Sequence, residues 1–225
     1  MRISDLSQSS GLPIATIKYY LREGLLPPGT RTARNQAEYD QTHLVRLRLI
    51  RILTTVGQLT VSSVRQVLIE LDERGQTPRR LRQVVNRALY AQLPETLEMG
   101  QPERDAQAKV NSLLAQLGWR PEADSAGRDT LAAVFATLPE LGWDVDLELF
   151  ARYGQAAHDL VTHELDAPTA ESTAGTGREP DAAATVVARA VLFEVALAAM
   201  RRMAHEQLAG ESASRVGPGR PSGRG

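Results

Sequence analysis

The residues best suited to chemistry crowd into one short stretch near the N-terminus. Ala15, Thr16, Lys18, Tyr19 and Arg22 interleave with the apolar Ile17 and Leu21, so a helix through them turns the two sets to different faces. Small residues at a helix start let the backbone approach the floor of a nucleic-acid groove. Lys18, Tyr19 and Arg22 can then reach a phosphate or a base edge. Arg31 and Arg34 follow in the polar stretch Thr30–Tyr39, which reads as an exposed loop or hairpin, and Tyr39 at its end is expected at the same nucleic-acid interface. This is ionic recognition rather than bond-making. No Ser-His-Asp set, phosphate-cradling glycine loop or paired-carboxylate motif stands out, and an enzyme is not expected.

Punctuation in the sequence sets the elements that must hold these side chains. Ser4 opens a short helix carrying Leu6, and Gly11 breaks it. Pro13, whose missing N–H would be unpaired there anyway, opens a second helix over Ile14–Glu23, and Gly24 stops it. A third helix starts at Asp40 or Thr42 and carries Val45, Leu49, Ile52, Leu53 and Val56 on one stripe as far as Gly57. Thr60 caps the next, with Val64, Val67, Leu68 and Leu71 inward. Arg79–Leu93 is amphipathic, and Pro94 ends it. Two short helices meeting at a glycine turn, followed by a basic excursion, are the layout of a helix-turn-helix with a wing. Tyr20, one helical step from Tyr19, fits either the core or the interface. Arg46, Arg48 and Arg51 are expected to face solvent.

The order of residues here resembles the MerR family of bacterial transcription regulators. The matching positions are Ile3-Ser4-Asp5-Leu6, Gly11-Leu12, Thr16-Ile17-Lys18-Tyr19-Tyr20, Arg22-Glu23-Gly24-Leu25-Leu26-Pro27-Pro28, Arg31, Tyr39 and His43-Leu44. The resemblance covers about residues 1–74 and implies a homodimer on a palindromic operator in double-stranded DNA. Transcription would then be switched by bending and untwisting the DNA, so that RNA polymerase is affected indirectly. It implies contacts from Thr16, Lys18 and Tyr19, with Arg31 as the wing anchor. Two positions depart from the family pattern. Asn35-Gln36-Ala37 stands where Gly-Tyr-Arg is frequent, leaving Arg34 to supply the wing charge, and Pro13 stands where a serine cap is frequent.

The chain has 225 residues and no cysteine, which excludes disulfides, thiolate metal sites and a cysteine nucleophile. Residues 1–90 carry 14 Lys and Arg against 7 Asp and Glu; residues 91–225 carry 12 against 20. A basic front and an acidic back suggest two modules with different partners. Further helices are predicted near 103–117, 127–141, 145–165 and 181–208. The fold class is therefore mainly all-α, a winged helix-turn-helix followed by an all-helical domain. The expected division is 1–74 for DNA binding, 75–98 as a connecting helix, 99–209 for dimerisation and effector binding, and 210–225 as a disordered tail. The most apolar stretch, Ala182–Met200, is interrupted by Arg189 and Glu194 and is not read as a membrane span. No secretory signal opens the sequence, and a cytoplasmic, nucleoid-associated protein is expected.

Arg79–Leu93 is short for a self-sufficient coiled coil, so dimerisation should draw on Ala182–Leu208, which is apolar nearly all round. Trp119, Phe135, Trp143, Phe150, Tyr153, Phe193 and Met200 could line a pocket for a small organic effector or could form plain core. The rival reading makes the back half a dimerisation and interaction scaffold without a ligand. His158 and His163, five apart, do not share a helix face as metal ligands would, and neither metal nor cofactor is expected.

Overall fold

Glycine, proline and capping residues place the first elements close to where the sequence puts them. This computed structural model describes all residues except 34–35, 74, 91–100, 123, 167–181 and 216–225. Helices α1 (Ile3–Ser10) and α2 (Ile14–Arg22) are followed by strands β1 (Thr30–Ala33) and β2 (Gln36–Glu38), then α3 (Gln41–Arg51), α4 (Val61–Asp72) and α5 (Pro78–Tyr90). The strands form an antiparallel hairpin with Thr30 opposite Glu38 and Arg31 opposite Ala37. Asp40 caps α3 by accepting from the backbone N–H groups of Thr42 and His43, and Thr60 caps α4 through Ser63. The cap of α1 differs from expectation. Asp5, not Ser4, closes the helix end by accepting from the Arg2 N–H at 2.8 Å.

The chain then continues through α6 (Gln101–Leu117), α7 (Ala126–Thr137), a 3₁₀ turn at Leu138–Leu141, α8 (Leu147–Asp166) and α9 (Ala182–Arg215). Helices dominate throughout, as the sequence predicted. The endings of α6 and of the Leu138–Leu141 turn share one device. Gly118 and Gly142 adopt left-handed φ of 68° and 75°, and the N–H groups of Trp119 and Trp143 fold back to the Leu114 and Leu138 carbonyls. α9 runs through Arg215, into the stretch expected to be a disordered tail; residues 216–225 lie outside the described residues.

Among the described residues two apolar cores result. The larger joins Leu6, Ile17, Leu25, Leu26, Leu47, Ile50, Leu53, Val64, Leu68, Leu81 and Val85 from the first five helices and their links. It also takes in Ala184, Val187 and Val191 from the first turns of α9. The contact is made where the backbone after α3 widens into a π-helical turn, Ile52–Val56, rather than continuing as the single α-helix expected there. The smaller core packs Ala106, Val110 and Leu113 of α6 with Phe135 of α7 and Ala151 of α8.

Among the described residues one helix, the apolar stretch that Arg189 and Glu194 interrupt, reaches the length and composition of a membrane span. Ala182–Ala209 is long and apolar enough by length and composition, with a mean hydropathy of 1.8, because Arg189 and Glu194 are too few to offset its alanines and valines. Its first turns owe that character to the core they complete, whereas Leu197, Met200, Met203 and Leu208 further along are exposed.

Candidate nucleic-acid interface

α2 carries the basic face in the form its apolar spacing requires. Ile17 is fully buried and Leu21 is packed against the core, while Ala15, Lys18 and Arg22 are exposed and Thr16 is half-buried. Pro13 occupies the position before the helix with φ of −58° and offers no side-chain cap. Lys18, Arg22 and, on β1, the exposed Arg31 enter no ion pair among the described residues, so their charge is available to an outside anion. Arg34 lies outside the described residues.

The tyrosines divide. Tyr20 is 8% exposed and belongs to the core, which resolves its two readings. Tyr19 is half-buried, its ring 5.8 Å from that of Tyr20, and keeps one side open. Tyr39, expected at the interface, is instead a core aromatic. Its ring is 8% exposed, stands edge-on to His43 at 5.2 Å and lies tight against Gly29, while its backbone N–H donates to the Met1 carbonyl at 2.8 Å. The ring's apolar bulk is what draws it inward.

Two arginines that patterning did not single out for positioning brace this unit from behind. Arg65 of α4 donates from Nε and Nη2 to the Glu23 carbonyl at 3.1 and 2.9 Å, and from Nη2 to the Glu23 carboxylate at 2.9 Å. It thereby satisfies a carbonyl at the C-terminal end of α2. Arg46, expected to face solvent, is largely buried. Its Nε donates to the Leu25 carbonyl at 2.6 Å, and its guanidinium forks onto the Asp72 carboxylate. Arg48 and Arg51 are exposed as expected. Partners separated by 21 to 42 residues leave no local signature.

The seven aromatic and methionine residues considered for an effector pocket are not brought together. Phe135 is 1% exposed and stacks edge-on with Phe150 at 4.7 Å inside the smaller core; Tyr153 stands beside Phe150. Trp119 pairs with His158, while Trp143 and Met200 are exposed. Phe193 on α9 faces a separate cleft. Among the described residues no three His, Asp or Glu side chains gather as a metal site would.

A helix-turn-helix with a two-stranded wing and an uncommitted cationic face defines a class of DNA-binding modules. Residues 1–71 match the MerR HTH family regulatory protein model. Over 50 residues the chain is 42% identical to the HTH-type transcriptional regulator ZntR homolog of Haemophilus influenzae, covering 22% of this chain and 37% of that protein. Over 57 residues it is 37% identical to the HTH-type transcriptional regulator CueR of Salmonella typhi, covering 25% of this chain and 41% of that protein. The chain thus spans about two fifths of the length of these curated relatives. The solved structure of SCO5550 from Streptomyces coelicolor A3(2), assigned as a transcriptional regulator, is similar end to end. It shows 36% identity and a TM-score of 0.67 over 97% of this chain and 99% of that one. Residues 1–71 of the chain thus belong to the MerR HTH family, and the chain over nearly its whole length is similar to a protein assigned as a transcriptional regulator.

Proposed function

We propose that this protein is a homodimeric, non-enzymatic regulator that binds a palindromic operator and answers to a small organic effector. One observation carries the DNA reading: Lys18, Arg22 and Arg31 are exposed and enter no ion pair among the described residues, while Arg46 and Arg65 are spent on internal struts. Lys18 and Arg31 serve as phosphate or base contacts, with Ala15, Thr16, Tyr19 and Arg22 against the groove. Arg34 belongs to the same reading by its place in the hairpin sequence. Polymerase is affected through the shape of the DNA rather than by direct contact.

The dimer reading rests on α9. Beyond Leu197 it exposes Met200, Met203 and Leu208, an apolar stripe of the kind that marks an interaction site. A second copy is self-complementary to it and closes the assembly, as a two-fold operator requires. The scaffold-only reading draws on the filled packing of Phe135 and Phe150. The effector reading draws on open space elsewhere in the C-terminal half.

The test is selection of bound fragments from the source genome, with sedimentation of the free protein. Recovered sites should share a two-fold-symmetric motif, and the protein should sediment as a dimer that Met200→Glu with Met203→Glu converts to monomer. A monomeric wild type, or recovered fragments with no common motif, would falsify the proposal.

A further inference from the structure

A cleft of about 590 Å³ opens between α5, α8 and α9, within the size range of sites that enclose drug-sized molecules. Two arginines tie α9 to α8, Arg189 in the cleft lining and Arg201 beyond it. Arg189 donates to the Glu164 carbonyl at 2.8 Å and lies 5.2 Å from the centre of the Phe193 ring. Arg201 donates to the Tyr153 hydroxyl at 3.1 Å and lies 5.6 Å from that ring. Leu160, Val161 and Leu165 of α8 look into the cleft from one side, and Phe193 and Leu197 of α9 from the other, all five still open to solvent.

The polar lining narrows the occupant. Arg82 and Arg189 balance Glu164 and Glu194, so the walls carry no net charge, and Asn86 adds a neutral amide. Arg82 and Glu194 enter no ion pair among the described residues. A dry helix from a second copy would leave these groups without partners. Residues 167–181, which join α8 to α9, contain no large apolar side chain with which to fill the space. A small molecule with a ring-bearing apolar body and hydrogen-bonding groups suits both the apolar walls and the balanced charge.

We infer that this cleft binds an amphipathic organic molecule of no net charge. The inference deepens the effector reading above and rests on it for its regulatory meaning. α5 and the first turns of α9, which form one wall, also pack in the core behind α2, so a bound molecule touches helices continuous with the DNA-binding unit.

Full-length protein is titrated with the neutral fluorophore N-phenyl-1-naphthylamine and, separately, with its sulfonated relative 8-anilinonaphthalene-1-sulfonate. The neutral dye should saturate one site per chain and bind at least as tightly as the sulfonate. Val161→Trp, which fills the space from an exposed position, and Leu165→Glu should each weaken it tenfold or more. Trp143→Ser, which removes an exposed aromatic elsewhere, should leave it unchanged. No saturable site overturns the inference. So does retention of binding by both cleft variants, or a tenfold preference for the sulfonate. DNA affinity in the same samples separates the two ideas: dye bound at the cleft with unchanged DNA affinity sinks effector control and leaves the site standing, whereas loss of the site with intact DNA binding sinks the cleft alone.

Discussion

Gly57 and Val191 are pressed together so closely that a Cβ on the glycine would lie 2.7 Å from Val191 Cγ1 and 2.9 Å from the Leu53 carbonyl oxygen. The glycine ends the π-helical turn after α3, and the valine is fully buried in the first third of α9. Through this contact the last helix of the chain becomes part of the core that supports the first two. The φ of Gly57 is −73°, which any residue adopts, so the need for glycine here is steric and not conformational. Gly57→Ala should therefore destabilise the protein by about 1–3 kcal/mol, the usual result of overpacking. Gly57→Ala with Val191→Ala should recover part of that loss, because the second change removes the clashing methyl. Denaturant melts of both single variants, Gly57→Ala and Val191→Ala, and of the double measure the coupling; additive losses would contradict the contact.

Lys18 and Arg31 are exposed cations without ion-pair partners among the described residues, so their replacement tests recognition with little cost to folding. Lys18→Ala and Arg31→Ala should each weaken DNA binding. If each meets a phosphate, the plot of log affinity against log salt should flatten by about 1 per site. Anisotropy titrations at several salt concentrations give both quantities, and unaltered slopes would remove the phosphate role.

Arg65 touches the end of α2 rather than its outer face, so its loss should act differently. Arg65→Ala frees the Glu23 carbonyl and carboxylate at once. Affinity for DNA should fall by roughly fivefold, about 1 kcal/mol for a lost set of partly exposed hydrogen bonds. The salt slope should stay as in the wild type, because no phosphate contact is removed. A slope that changed with Arg65→Ala would place this guanidinium on the DNA instead.

Hydrogen bonds from Thr42 and then from His43 hold the Asp40 carboxyl well below the usual carboxylate range. Its contribution to stability is complete above the unfolded value, about 4, and drains away as the pH falls toward the lower folded one. The effect is modest because the carboxylate is 67% exposed. Asp40→Asn keeps a capping side chain but removes the titration. Between about pH 5 and pH 3 the wild type should lose more stability than this variant; parallel losses in urea melts would show that Asp40 is not the group responsible.

Much of the DNA-binding unit was legible along the chain. Gly11, Pro13, Asp40 and Thr60 act on their immediate neighbours, and the spacing of Ile17 and Leu21 states which face of α2 turns inward, so local chemistry fixed both the elements and the exposed cations. Caps, breaks and helical period all work within a few residues. What only tertiary structure decided involves partners far apart. Arg46 and Arg65 face inward because carbonyls of Leu25 and Glu23 lie within reach, and Tyr39 is buried because Gly29 and His43 close around it. The first turns of α9 join a core begun about 180 residues earlier, and the aromatics grouped in the sequence as one pocket divide among a filled bundle, a separate cleft and open surface. The number of apolar residues on a helix is a property of its sequence. Which neighbour covers each of them depends on how the whole chain packs.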